Sequence, residues 1–326
     1  MRPLRADTDA DGFASISVHW WAWVALFGII TVLLLVDLLV FHRRAHEVRT
    51  KEAAIESAGW ISIGLAFGLA VWALYGGKAG SEYYAGYLIE KSLSVDNVFV
   101  WALIFTYLAV PGRYQHRVLF WGIFGALLMR LVFIFAGVAL LEQFSWLLFV
   151  FGAFLIFTGI RLVTRADDEV HPDHNPVLRL VRKLVPSTPD YDGQKIFTRR
   201  NARLAATPLF AVLVLIETTD VVFAVDSVPA VLAVSREEFI VFSSNAFAIL
   251  GLRALYFLLA DMRNRFEYLQ PGLAIILVYV GIKMIASQWF HTPTPISLGF
   301  ITLVLAGAVV LSLRKSRREV TVGERR

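Results

Sequence analysis

The feature that most constrains this chain is a succession of long apolar runs separated by short blocks of charge. A hydrocarbon core takes about 20 apolar residues per helix. Nine runs meet that length: 19–41, 57–76, 84–110, 116–140, 144–162, 207–234, 238–260, 271–288 and 296–313. They are too long for barrel strands, and lipid offers no partner to an open backbone. The expected fold class is therefore an all-α polytopic membrane protein with about nine transmembrane helices. Composition agrees, with 57% hydrophobic and 17% charged residues. A soluble domain carries about 25% charge. An ordinary soluble enzyme is a poor reading, and no enzymatic activity is expected.

Basic residues set the orientation. Segments 42–56, 111–117, 161–206, 261–270 and the tail from 314 hold 23 Lys and Arg, whereas the alternate loops hold only Arg2, Arg5, Lys78 and Arg236. The positive-inside rule then puts the N-terminus outside and the C-terminus in the cytoplasm. The net charge of +5 is explained by these loops, so no nucleic-acid partner is expected. Acids at Asp7, Asp9 and Asp11, with no cleavage-like site, argue against a removable signal peptide. With no cysteine in the chain, disulfides, zinc–thiolate sites and thiol nucleophiles are excluded.

The polar stretch 164–206 reads as a cytoplasmic linker, with short helices allowed, and as a candidate docking surface for a protein partner. The two sides of it resemble each other. Span three carries Glu90-Lys-Ser-Leu-Ser-Val-Asp96-Asn97-Val98, and span six carries Asp220-Val-Val-Phe-Ala-Val-Asp226-Ser227-Val228. Phe124, Arg130 and Phe133 in span four match Phe247, Arg253 and Tyr256 in span seven. Gly159-Ile160-Arg161 in span five matches Gly281-Ile282-Lys283 in span eight. A repeat of three helices places its second copy upside down, which predicts an inverted-topology pair with a site near the midplane. The expected organisation is an N-terminal segment with two accessory helices (1–82), the first repeat (83–163), the linker (164–206), the second repeat (207–290), and a last helix with a basic tail (291–326).

Charges inside the spans carry the functional signal. Glu90, Asp96, Glu217, Asp220 and Asp226 lie there, as do Lys91, Arg130 and Arg253. Each costs about 2.5–3.5 kcal/mol at the bilayer centre even on the gentlest scale. They must therefore face the bundle interior and one another. Their sum is −2, which suits one divalent cation or two protons. The alternative is an ion-pair network that only locks helices together. Nearby polar groups are Ser92, Ser94, Asn97, Thr218, Thr219 and Ser227. This all-oxygen set suits Mn²⁺, Mg²⁺ or Ca²⁺ rather than zinc or copper.

On an ideal helix, positions 90 and 96 differ by about 120°, as do 220 and 226. Either spans three and six unwind locally, or the acids serve two linked sites. Pro229 favours a break in span six, because it frees the carbonyl of Val225. Asp37 is expected to snorkel or to pair with Arg43, and Glu82 and Glu142 to be solvated at the outer interface.

The two acidic motifs, with Glu217-Thr-Thr-Asp220 and Asp226-Ser227-Val-Pro229-Ala in the second, resemble the TerC family of integral membrane proteins. That family is named for tellurium resistance and placed near the LysE-type exporters. The resemblance covers about residues 20–310, and the nine-span layout looks like its Alx-type, pH-responsive branch. It implies export of manganese across the bacterial plasma membrane. It also implies an ion pathway through Glu90, Asp96, Asn97, Glu217, Asp220, Asp226 and Ser227, with Lys91, Arg130 and Arg253 as supporting charges. Proton exchange at the carboxylates is the natural coupling, since no Walker loop is present. The competing readings are a non-transporting scaffold, which delivers or senses metal under tellurite or envelope stress, and an intramembrane aspartyl protease. The protease lacks the Tyr-Asp and Gly-x-Gly-Asp pairings it would need.

Overall fold

The computed structural model describes residues 7–8, 13–38, 50–144, 146–164, 191–200, 203–259, 268–286 and 294–323. Ten helices lie among them: α1 (Trp20–Val36), α2 (Thr50–Tyr75), α3 (Gly77–Tyr107), α4 (Gly112–Gln143), α5 (Leu147–Thr164), α6 (Pro208–Leu232), α7 (Glu238–Leu250), α8 (Leu252–Leu259), α9 (Leu269–Ala286) and α10 (Thr294–Gly323). Two short hairpins complete the described elements. β1 (Asp7–Thr8) pairs with β2 (Ala14–Ser15), and β3 (Phe197–Arg200) pairs with β4 (Arg203–Ala206), both antiparallel.

The molecule is an all-α membrane protein. α2, α4, α5 and α6 are long and apolar enough to cross a bilayer singly, and α7 with α8 reaches that length and apolarity only as a pair bent by 40°. α1 and the apolar parts of α9 and α10 are shorter. Large apolar side chains stay exposed on the outer helix faces, for example Leu69, Leu128, Val132, Phe157 and Leu303. In water such faces would be costly; against lipid they are the expected covering.

Local signals account for the element ends. Gly76 takes a φ of 93° and lets the chain reverse between α2 and α3. α3 ends in a Schellman turn: the Val110 N–H donates to the Phe105 carbonyl, the Ala109 N–H donates to the Thr106 carbonyl, and Ala109 adopts a φ of 49°. Pro208 opens α6 in the first turn, where its missing N–H costs nothing.

α3 is the hub, packed against α2, α6, α7, α8 and α10. α7 lies deepest, since every residue from Phe239 to Leu250 is buried. α4 packs on α6 and α7. α5 and α9 pair antiparallel at backbone distance. A side chain on Gly152 would meet the Gly281 carbonyl, and one on Gly281 would meet the Gly152 carbonyl. One on Gly159 would meet the Ala274 carbonyl. Small residues of this kind let helices approach where burial alone gives no net attraction.

Two segments close the ends of the bundle. At the end where α3 begins, the Ala14 N–H donates to Glu82 Oε1 at 2.7 Å and the Ile16 N–H to Glu237 Oε1 at 3.0 Å. Glu82 is fully buried there, not solvated as its interfacial position had indicated. The backbone of the N-terminal strand meets one of its carboxylate oxygens. At the other end, the β3–β4 hairpin occupies the described part of 164–206, where short helices had been allowed. Tyr191 donates its hydroxyl to the Leu108 carbonyl at 3.0 Å. Thr207 donates its hydroxyl to the Lys195 carbonyl at 2.7 Å. The Thr198 hydroxyl and Lys195 hold the Asp192 carboxyl below the usual range.

A candidate ion site between α3, α4 and α6

The α3 motif places Glu90, Ser94, Asn97 and Trp101 on the face turned to α6 and α7. Glu90 is fully buried and forms an ion pair with Arg130 of α4. Ser94 donates to Glu90 Oε1 at 3.1 Å. Arg130 also donates to Asn245 Oδ1 on α7, and the Asn245 amide donates to the Val241 carbonyl at 3.2 Å. One guanidinium thus ties three helices. Asp220 of α6 is buried beside it, flanked by Arg130 and the Trp101 indole, with Glu217 and Glu90 as like-charged neighbours. One oxygen of Asp220 lacks a hydrogen-bond partner. Glu217 lies against α4 at Gly125, where a Cβ would overlap its carboxylate.

A cavity of about 60 Å³ adjoins this cluster. Asn97, Arg130, Thr158 and Ser227 supply its polar lining, and Leu93, Phe223, Leu162, Leu273 and Leu277 its apolar walls. Asn97 and Ser227 occupy matching places in the two motifs, and so do Leu93 and Phe223. The Ser227 hydroxyl is buried without a partner. Arg130 joins both layers, pairing with Glu90 and reaching the cavity wall.

Asp96 and Asp226 stand next to Asn97 and Ser227 in the helices, but their side chains lie outside the described residues. Among the described residues, no three His, Asp or Glu side chains gather as a metal centre.

Several expectations are corrected. α3 and α6 run unbroken through both motifs, so neither unwinds. Pro229 sits in the last turn of α6, where the Ala233 N–H still reaches the Pro229 carbonyl. The break falls instead at Gly251, between α7 and α8. Lys91 reaches that break, where its Nζ donates to the Ala248 carbonyl at 3.1 Å, and it keeps Glu90 as a charged neighbour. Arg253 pairs with Asp37 at the end of α1. Asp37 is thus buried rather than snorkelling; Arg43 lies outside the described residues. Ser92, Thr218 and Thr219 satisfy their hydroxyls on carbonyls of their own helices.

Sequence reasoning passed over Trp101, Thr158 and Asn245. Asn245 had a readable signal, since it is the lone carboxamide in an apolar run. Trp101 and Thr158 had none, because their role depends on which helix faces meet.

Residues 75–320 match the model of the integral membrane protein TerC family. The chain belongs to the TerC family. It is 48% identical over 299 residues to the membrane protein STKORF319 of Myxococcus xanthus, covering 92% of this chain and 94% of that one. It is 44% identical over 299 residues to a protein of Escherichia coli K12 provisionally named membrane-bound redox modulator Alx, covering 89% of this chain and 93% of that one. An Alx of Photorhabdus laumondii is 40% identical over 308 residues, covering 92% and 96%. No solved structure matches the chain significantly.

Proposed function

We propose that this TerC protein is a secondary transporter, not an enzyme, that exports a divalent metal ion, Mn²⁺, across the bacterial inner membrane in exchange for protons. The observation that carries the reading is the cavity between Asn97 and Ser227, set beside a buried and incompletely neutralised carboxylate cluster. Counting Asp37, which pairs with Arg253, the intramembrane set is six acids against three bases, a charge of −3. A cation is the ligand that such a cavity attracts.

Cavity size bears on the ion. A cavity of about 60 Å³ has room for only a few waters, so an entering cation sheds part of its shell. Mg²⁺ dehydrates reluctantly, which favours Mn²⁺ among the hard ions. A buried carboxylate takes up a proton more readily than a solvated one, so proton entry offers a way to release the metal.

We read the architecture as nine spans, with the N-terminus outside and the C-terminus in the cytoplasm, and with two inverted copies of three helices. The α5–α9 contact supports this. Gly159 and Gly281 are equivalent in the repeat, as are Gly152 and Ala274 seven residues earlier. The approach of Gly159 to Ala274 is therefore the image of that of Gly281 to Gly152. α3 on α7 and α6 on α4 are images of each other in the same way. The Alx name offers a redox role. A chain without cysteine has no thiol to exchange, so we read that role as following from metal balance.

The test is Mn²⁺ flux in proteoliposomes, with and without a pH gradient, beside Asp226→Asn. Flux that responds to the gradient and is lost in the variant is expected. No flux from folded, inserted protein overturns the transporter reading in favour of the scaffold.

A further inference from the structure

The two ends of the bundle differ in what lies across them. The cavity sits toward one end, since Leu162 and Leu273 in its wall stand near the end of α5 at Thr164 and the start of α9 at Leu269. At the opposite end the N-terminal strand crosses the bundle. Phe13, Ala14 and Ile16 are buried there, and the Arg236 guanidinium lies 5.1 Å from the centre of the Phe13 ring. The strand is held by backbone donors on carboxylates, Ala14 on Glu82 and Ile16 on Glu237. Glu82 and Glu90 share α3 and are separated by a rise of about 12 Å.

The surroundings of Glu82 are not those of a finished clasp. Its second oxygen, Oε2, is buried without a hydrogen-bond partner. Ser235, fully buried, sets its hydroxyl beside the carboxyl without completing a hydrogen bond. Lys283 of α9 has Glu82 as its charged neighbour, yet its buried ammonium makes no hydrogen bond. Lys78 and Glu237 are the other charges near Glu82. Each buried polar group left without a partner destabilises the covered state. All of them gain water when the strand lifts. The covered state is thus held by backbone donors and opposed by what lies around them.

We propose that residues 13–16 are an outer gate, a strap latched on Glu82 and Glu237 that must lift before the exported cation can leave. This rests on the transport reading above. The way outward from Glu90 along α3 passes Glu82, and the strap is fastened across it. Residues 17–19 alone join the strap to α1, so it can lift without repacking a helix. The simpler reading is a static staple that fastens α3 to the start of α7. A staple changes stability when cut, whereas a gate changes access to what it covers.

The experiment uses Ser235→Cys, which sets a single thiol beside the latch of a chain that has no cysteine. Its labelling by a membrane-impermeant maleimide is timed from outside right-side-out vesicles. Slow labelling is expected at rest, and faster labelling in vesicles loaded with Mn²⁺. Adding Ala14→Pro deletes the N–H that reaches Glu82. Loss of one hydrogen bond to a charged group raises the lifted population, and with it the labelling rate, about tenfold. Deletion of residues 2–16 is expected to label at least as fast, and it carries the test should Ala14→Pro not fold. Equal rates in Ser235→Cys and in both strap variants overturn the gate, and a lowered unfolding midpoint with those equal rates assigns the staple. Labelling that ignores loaded Mn²⁺, in vesicles that do export it, also overturns the gate. Absent Mn²⁺ flux with strap-dependent labelling overturns the transport reading and upholds the lifting strap. Flux with strap-independent labelling overturns the strap alone.

Discussion

Arg130 shows how much a single side chain does in this bundle. It pairs with Glu90, donates to Asn245 and flanks Asp220. Arg130→Gln strands two buried acids, and breaking such a pair costs about 3–5 kcal/mol. We expect a lower unfolding midpoint in detergent, with loss of Mn²⁺ flux. Gly125 is a second sensitive position. Gly125→Ala places a methyl on the Glu217 carboxylate. Displacing that carboxylate is expected to cost about 1–3 kcal/mol and to reduce flux, measured by thermal shift and proteoliposome uptake. The sequence made the charged residues legible, because charge in an apolar run is expensive and must have a reason. It did not assign their partners. Asp37 and Arg253 lie far apart along the chain, and neither helix period nor motif spacing brings them together.

At the scale of elements, the α5–α9 contact is set by glycine. Gly152→Ala would drive a methyl to 2.8 Å from the Gly281 carbonyl. Backbone cannot yield as a flexible side chain does, so a loss of about 1–3 kcal/mol is expected. Gly28→Ala is the contrast, since nothing lies within 4 Å of its added methyl. That change should hold or raise stability by up to about 1 kcal/mol, through helix propensity alone. Thermal unfolding of both variants checks the pair of predictions. Helix positions were legible from hydropathy, and each of the nine apolar runs overlaps a described helix. The site of the break was not. Pro229 carries the stronger local signal, but in a last helical turn it disturbs little. Gly251 is a weaker signal, and the break there is stabilised by Lys91 from another helix.

For the molecule as a whole, a chain without cysteine lends itself to single-cysteine labelling. Asp192→Cys, just before the β3–β4 hairpin at the end where α3 terminates, should react with a membrane-impermeant thiol reagent only from the cytoplasmic side. Trp146→Cys, between α4 and α5, should react only from the outside. The reverse pattern in sealed vesicles would overturn the orientation. The positive-inside count made this prediction available from sequence. The depth at which each helix sits was not available, because hydropathy reports what a residue prefers and not what covers it.

The complete burial of α7 has a consequence for how the protein is made. A helix that carries Ser243, Ser244 and Asn245 and touches protein on every side is a poor tenant of bare lipid. Its neighbours α1, α2, α3 and α4 all precede it in the chain. Synthesis runs from the N-terminus, so a ribosome delivers α7 to a socket whose walls are already in the membrane. The order of the helices along the gene is then part of the assembly plan: moving α7 ahead of its neighbours would keep every contact of the finished bundle and remove the shelter in which those contacts form.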